Sequence, residues 1–401
     1  MLARINKNNS LSICPTMDMP QRKVGVSVSG TDLGNYGIGL YTRELLRSLA
    51  KHLAAKDVEI HVFGTQSELS AYFPSSGKIP DGFVLRTLPG YCGKSFVNSM
   101  YHKFVLPRVA AGLNLGVFVL PSGNRRVMNS RHFKTLAVVH DISQHFMGYK
   151  YGFLHERHLE WVVLKTLAKI DKLVAVSEFT ARDLEQVLGR RGEVAAIHNG
   201  AVDRRVPVDA ATCSRYFGGK PFILYPSRLE HPGKNHLNLL NAFSASGLGR
   251  DYQLVFTGQD WGAGPLIDTR IAELNLQSAV SVIGHQDEDE YNRLFNCAAA
   301  VLCIGVREGF GLHGLEAAML EKPVLAANSG AMREFLRDYA VYCDPMDIDS
   351  ISAGLRAVVK SEAKGEKQKF AEMYPEGYFT WERCGEAVCK EIEGLMDQQY
   401  G

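Results

Sequence analysis

The sequence predicts an α/β protein made of two doubly wound, Rossmann-like parallel-sheet domains facing a central cleft. Three observations carry that prediction. The 401 residues exceed what one hydrophobic core usually covers. Short β-branched runs alternate with longer helical patterns, and after a polar connection near residues 201–213 the alternation starts again. The glycine-rich and charged segments follow predicted strands, which is where open parallel sheets bind ligands.

In the first half, a strand at 23–29 runs into the loop 30–39 and then a helix over 40–53. Further strands are expected at 58–63, 116–120, 135–139 and 172–176, and one at 194–198 closes this half. In the second half the expected strands are 222–225, 252–257, 280–283, 299–303 and 323–326, again separated by helices. No low-complexity segment or solenoid period interrupts the pattern.

Composition narrows the class without choosing a function. Hydrophobic content of 46% and charged content of 22% are ordinary for a globular chain. The net charge of +2 is unevenly spread: residues 101–200 hold 14 Lys/Arg against 8 Asp/Glu, and residues 301–401 hold 11 against 17. A basic first half favours an anionic membrane surface or a phosphorylated acceptor, and solvated faces of unequal sign account for it equally well. Nucleic acid is not an expected partner. The eight cysteines are dispersed with no Cys-x-x-Cys pair, so reduced core thiols are expected rather than disulfides or zinc. The first 22 residues lack the apolar stretch of a signal peptide, and no run approaches 18 apolar residues. A cytoplasmic protein is the expectation.

The most informative segment is Glu-Gly-Phe-Gly-Leu-His-Gly-Leu-Glu at 308–316. Two carboxylates, Glu308 and Glu316, flank three glycines in a loop that becomes an apolar helix at about Leu312. Glycines let backbone N–H groups approach a ligand, and a helix start aims free N–H groups and a positive dipole end at an anion. Carboxylates accept hydrogen bonds from hydroxyls. A ligand with both phosphate and several hydroxyls fits this mixture, and a sugar nucleotide is such a ligand. Earlier, Arg228 and Lys234 flank a turn containing Pro232 and Gly233, just after the first strand of the second half. Such a turn can fold a bidentate fork and a point charge onto one phosphate site.

These segments resemble those of the retaining glycosyltransferases of family 4, which have the GT-B fold. The likeness rests on Glu308 and Glu316 in a Glu-x7-Glu element, and on Arg228 and Lys234 after the second domain's first strand. It extends to Gly37-Ile-Gly39 with Tyr41-Thr-Arg-Glu-Leu45, to Val139-His-Asp141, to the Ser177-Glu178 segment, to Asn199-Gly200 with Asp203, and to Phe379-Thr-Trp-Glu382. These pieces occur in the family's order across nearly the whole chain. The resemblance implies an acceptor-side domain over 1–205, a nucleotide-sugar domain over 206–376, and a last helix over 377–401 crossing back onto the first domain.

It also implies roles. Glu316 would accept from ribose hydroxyls and Glu308 from those of the transferred hexose. Backbone N–H groups of Phe310, Gly311 and Leu312 would lie against sugar and diphosphate, with Gly37 and Gly39 approaching from the first domain. Arg228 and Lys234 would neutralise the leaving diphosphate without a metal, and His140 would contact the hexose or orient the acceptor. No cofactor and no metal are expected. The implied reaction is retaining transfer of a hexose, mannose or glucose, from a GDP- or UDP-linked donor to a glycan or polyprenyl-linked acceptor in polysaccharide biosynthesis. Base recognition is expected near residues 282–285, and the acceptor against 89–100 and 124–131.

Several patterns carry simpler readings. Asp287-Glu-Asp289 has the Asp-x-Asp form that holds metal in other transferases, but its acids are better placed to cap a helix, as are those at 347–349. The loop at 30–39 lacks Gly-x-Gly-x-x-Gly spacing, which argues against a dehydrogenase. His140 is either a site residue or a buried histidine satisfied by a carbonyl, Ser177 reads as a helix cap, and Asn199-Gly200 as a turn. His313 departs from the family's usual proline, and residues 304–307 depart from its usual Pro-Ser approach. The amphipathic stretch at 101–108 and the cations Lys103 and Arg126 suggest peripheral docking on the inner face of a membrane. The alternative to an enzyme is a catalytically silent sugar-nucleotide-binding subunit of a glycan-assembly complex.

Overall fold

A computed structural model describes residues 22–146, 159–361 and 370–400. The first sheet has seven strands: β1 (Lys23–Ser27), β2 (Glu59–Gly64), β3 (Phe83–Thr87), β4 (Val117–Leu120), β5 (Lys134–Val139), β6 (Lys172–Ala175) and β7 (Val194–Ala196), in the order β3-β2-β1-β4-β5-β6-β7. The second has six: β8 (Phe222–Pro226), β9 (Gln253–Thr257), β10 (Val280–Gly284), β11 (Ala300–Cys303), β12 (Val324–Ala327) and β13 (Val341–Cys343), in the order β10-β9-β8-β11-β12-β13. Every strand pairing is parallel. Chain direction across each sheet reverses beside its first strand, between β1 and β4 and between β8 and β11, the place where a crevice opens at the strands' carboxyl ends.

The central strands are buried on both faces, as with Val117, Phe118 and Val119 in the first sheet and Ile223, Leu224, Leu254 and Val255 in the second. All eleven expected strands are present, and β3 and β13 are additions. Both are edge strands: β3 is only partly buried along its length, and β13 has three residues, so neither carries a strong apolar signal.

Helices of the described residues include α1 (Tyr36–His52), α2 (Ser95–Phe104), α3 (Leu106–Ala111), α4 (Glu178–Leu188), α5 (Glu288–Cys297), α6 (Leu312–Met319), α7 (Met332–Leu336) and α8 (Trp381–Tyr400). Helix α1 starts four residues earlier than its apolar periodicity suggests, which puts Gly37 and Gly39 inside its first turn. Helix α8 lies along α1 on the first domain. Its Val388, Ile392, Leu395 and Met396 are buried in the same core as Leu45 and Leu49. Among the described residues no helix is long and apolar enough to cross a membrane.

One expectation about the cysteines is overturned. Cys213 and Cys297 are joined by a disulfide that links the start of the second domain to the end of α5. Their separation of 84 residues gave no sequence cue, and the fold alone brings the Cα atoms to 5.2 Å. Cys92, Cys303, Cys343, Cys384 and Cys389 are free and buried, as expected of core thiols.

Candidate functional site

The loop after β11 leads into α6, and α6 opens at Gly311, whose φ of 84° lies in the left-handed region that glycine enters without a Cβ clash. No side chain caps the helix, so its first N–H groups and positive dipole end are available to an anion. The loop is braced from both sides. The N–H of Val306 donates to the Gly233 carbonyl at 2.9 Å, and that of Ala331 to the Glu308 carbonyl at 3.0 Å. The Arg228–Lys234 turn and the 308–311 loop are thus one assembly at the carboxyl ends of β8 and β11.

Within it, Lys234 Nζ donates to Glu308 Oε1 at 2.6 Å, with the two side chains 19% and 13% exposed. Burial pushes the Glu308 carboxyl up, but Lys234 outweighs it and holds the group below the usual carboxylate value. Arg228 donates to Glu230 at 2.5 Å and stacks its guanidinium 4.4 Å from the Trp261 ring centre. Its charge also acts on Glu308 and, across the cleft, on Tyr36. Lys234 and Glu308 are therefore paired, Arg228 is held on the same turn by Glu230 and Trp261, and Glu316 is held elsewhere.

Glu316 is 2% exposed, in the first turns of α6. Arg204 Nε donates to its Oε2 at 2.5 Å, Arg204 Nη2 to its Oε1 at 3.0 Å, and the Val202 N–H to Oε1 at 3.3 Å. Burial raises the Glu316 carboxyl, and Arg204 opposes it. Nothing in the polar connection around Arg204 marked it beforehand, because its partner is 112 residues away.

From the first domain, Gly37 lies against Leu312, and Gly39 packs on the backbone of Gly34. The Phe310 ring is buried and stacks on Phe335 at 4.8 Å, so only its backbone faces the site. A Cβ at Gly309 would sit 1.8 Å from the His140 carbonyl oxygen, so only glycine allows this approach between domains. The carbonyl of Gly309 accepts from Ser177 Oγ at 2.7 Å, while the same hydroxyl caps α4 by accepting from the Thr180 N–H at 3.1 Å. Ser177 is the expected cap and also a contact between domains.

His140 is buried, and its Nε2 donates to the Pro121 carbonyl at 2.9 Å. This is the carbonyl-satisfied arrangement, with the ring edge-on to Tyr41 at 4.9 Å. Burial pushes its pKa down to about 4, which leaves a neutral ring with Nδ1 as an acceptor. His313, where the family resemblance leads one to expect proline, lies beside Tyr225 with a buried, unpartnered Nε2, and burial takes it down to about 4 as well.

The simpler readings hold in part. Asp287 caps α5, accepting from the Glu290 N–H at 2.9 Å. The Asn199-Gly200 turn is not borne out: these residues run as irregular chain, Gly200 packs closely against the Trp381 backbone, and the Ala201 N–H donates to the Phe379 carbonyl at 3.0 Å. Arg126 does not belong to a docking surface. It is 8% exposed, and its Nε donates to Asn98 Oδ1 at 2.9 Å inside the first domain. A basic side chain in a polar stretch looks exposed until the fold closes over it.

Two family models match in succession: Glycosyltransferase Family 4 over residues 43–205 and Glycosyl transferases group 1 over residues 214–373. Between them they span most of the chain, one on each domain. The chain belongs to the family 4, group 1 glycosyltransferases. O-antigen chain mannosyltransferase B of Escherichia coli is 23% identical over 246 residues, 57% of this chain and 62% of that protein. A glycogen synthase of Mycobacterium tuberculosis is 26% identical over 238 residues, 57% of this chain and 55% of that protein. The chain thus matches little more than half the length of these curated relatives. Among solved structures, the sucrose-phosphate synthase from Thermosynechococcus elongatus superimposes with a TM-score of 0.73 at 16% identity, covering 94% of this chain and 100% of that one. Anabaena HepE in complex with UDP and glucose gives 0.66 at 15% identity, covering 93% and 100%. These likenesses establish the GT-B fold for the family 4 chain.

Proposed function

We propose that this chain is a retaining hexosyltransferase that takes mannose or glucose from a GDP- or UDP-linked donor, without a metal, and delivers it to a glycan or polyprenyl-linked acceptor in polysaccharide biosynthesis. One observation supports the reading most: Lys234 pairs with Glu308 directly beside the uncapped start of α6, with Arg228 close enough to act on both sides of the cleft. Cations and helix N–H groups gathered this way suit the charge of a diphosphate, and removing one such donor in other enzymes costs roughly 3–4 kcal/mol.

In this reading Arg228, Lys234 and the N–H groups of Gly311 and Leu312 stabilise the leaving diphosphate, and Glu308 accepts from the hexose. The acceptor hydroxyl attacks on the face the diphosphate leaves, and a phosphate oxygen takes its proton. His140 supplies a neutral acceptor near the hexose rather than a proton at neutral pH. HepE was solved with UDP and glucose, and one relative is named a mannosyltransferase, so both donor classes belong in the trial.

A docking face on the first domain accompanies this reading. Phe96, Phe104, Val105 and Val109 of the α2–α3 region and Trp161 are exposed, with Lys103 and Lys165 among them. Aromatic and lysine side chains together suit an anionic bilayer surface. Flotation with anionic vesicles should fall for a Lys103→Glu, Lys165→Glu double variant, and unchanged flotation removes the membrane contact.

The site is tested by thermal shift with UDP, GDP, ADP and dTDP, each with EDTA or Mg²⁺. A ligand at 100 times its dissociation constant adds roughly 2.7 kcal/mol to the folded state. Stabilisation by one nucleoside diphosphate, undiminished by EDTA, is expected, followed by transfer from the matching sugar donor. Silence with all four overturns the reading. Binding without transfer, unchanged in Glu308→Ala, would favour a silent subunit.

A further inference from the structure

We propose that Arg204 is the positioning residue of the donor site, holding Glu316 as an ionised carboxylate with one acceptor position left for a single ribose hydroxyl. The inference rests on the donor reading above and adds a residue that reading does not use.

The grip is two-point and buried. Arg204 presents Nε and Nη2 to the two oxygens of Glu316, and the side chains are 11% and 2% exposed. The guanidinium is fixed on its other sides as well. Its Nη1 donates to Asn292 Oδ1 at 2.9 Å, and its plane lies 4.7 Å from the Tyr291 ring centre and 5.6 Å from that of Phe295. The backbone beneath is tied too, since Asn296 Nδ2 donates to the Arg204 carbonyl at 2.7 Å. All four of these contacts come from α5. A rigid fork of this kind fixes the direction of a carboxylate as well as its charge.

Counting acceptor sites gives the specificity. An ionised carboxylate accepts at about four positions. Arg204 and the Val202 N–H fill two on Oε1, and Arg204 fills one on Oε2. One position on Oε2 remains. A vicinal ribose diol can therefore donate to Glu316 through one hydroxyl while Arg204 stays in place. Val202 and Arg204 lie in the connection between the two sheets, so the connection that covers Glu316 also sets how closely a ribose approaches it.

Without Arg204, a carboxylate this buried, with Glu288 of α5 also raising it, would favour its protonated form. A protonated carboxyl donates one hydrogen and loses part of its acceptor capacity, so ribose recognition would become pH dependent. The direction is fixed: ionisation, and with it affinity, would recover as pH rises through the elevated value.

The test is calorimetric binding of UDP and GDP, with their 2′-deoxy and 3′-deoxy counterparts, from pH 6 to pH 8.5. Wild type, Arg204→Met and Arg204→Lys are compared. Wild type should bind UDP or GDP with little pH dependence and should be weakened by loss of one hydroxyl but not the other. Arg204→Met should bind about tenfold more weakly at the acid end, as expected for a lost charge-assisted hydrogen bond, and recover with pH. Its preference between ribo- and deoxynucleotide should shrink. Arg204→Lys keeps the charge but not the fork, so it should stay pH-flat with reduced discrimination, and it carries the test should the methionine variant not fold. Unchanged discrimination and a flat profile in the variants, with wild type binding, overturn the role of Arg204 alone. Wild type binding neither nucleotide overturns the donor reading and this inference with it.

Discussion

His198 places its Nε2 2.5 Å from the Oε1 oxygen of Glu334, at the junction of the two domains. The same carboxylate accepts from the backbone N–H groups of Glu178 at 2.9 Å and Phe179 at 3.1 Å, so a side chain of the second domain caps helix α4 of the first. Arg307 adds a second tie, donating to both oxygens of Asp183 at 2.6 and 2.7 Å. Burial pushes the Glu334 carboxyl up, but His198 and the two N–H groups outweigh it and hold it below its ordinary value. A depressed carboxyl contributes stability that is present above the ordinary value and lost as pH falls through the folded one.

Glu334→Gln should accordingly loosen the domain junction at neutral pH. Loss of a charge-assisted contact of this kind costs roughly 1.5–3 kcal/mol. Urea unfolding should show that decrease, and small-angle scattering should show a larger radius of gyration for the variant. Unaltered values on both would mean the closed arrangement is held by other contacts.

Gly309→Ala should uncouple binding from transfer. The new Cβ would fall 1.8 Å from the His140 carbonyl oxygen, so the 308–311 loop or the His140 segment must shift at the contact between the domains, beside the proposed donor site. A displacement near 1 Å can cost about 100-fold in rate. The expected result is a large fall in kcat with nucleoside-diphosphate affinity little changed, measured on the same preparation.

Lys234→Ala should cost both stability and donor affinity. It leaves Glu308 unpaired in a partly buried place, which costs less than the roughly 3–5 kcal/mol of a fully buried pair but more than a surface one. The double variant Lys234→Met, Glu308→Gln should regain most of the stability but none of the transfer activity. Recovery of transfer in the double variant would show that neither charge takes part in the chemistry.

Acid should destabilise the fold before the carboxylates titrate. Burial pushes His102 and His236 down to about 3, and His140 and His313 to about 4. Each is neutral when folded and takes a proton near its ordinary value of 6.5 when unfolded, so the unfolded state binds more protons below that pH. Unfolding free energy should be level above about pH 6.5 and decline from there towards pH 4. His313→Pro should make the decline shallower.

Reduction should lower stability by more than a short loop would suggest. The Cys213–Cys297 bond closes 84 residues, for which chain entropy gives roughly 4–5 kcal/mol. Melting with and without a dithiol reductant, with the bond located by peptide mass mapping, checks this. Equal melting temperatures would assign the bond no structural weight.

Much of the fold was legible because its central strands are short, nearly continuous apolar runs and the loop before α6 is rich in glycine. The start of α6 at Leu312 was readable from Gly311 and the apolar run behind it. Edge strands β3 and β13 were not, because half-exposed or three-residue strands carry little periodicity. Lys234 and Glu308 were each visible as a type at a strand end, but Arg204, Glu334 and Asp183 sit in segments with no distinguishing local pattern.

By itself, then, the sequence determined two parallel-sheet domains, the glycine loop with its helix start, and the cations placed after β8. These depend on local periodicity and on residue types within a few positions of one another. Only the tertiary structure decided that Arg204 holds Glu316, that Arg126 is internal, that Glu334 caps a helix of the other domain, and that Cys213 meets Cys297. Each joins residues 28 to 156 positions apart, and pairing over such distances is set by how strands and helices pack rather than by any pattern along the chain.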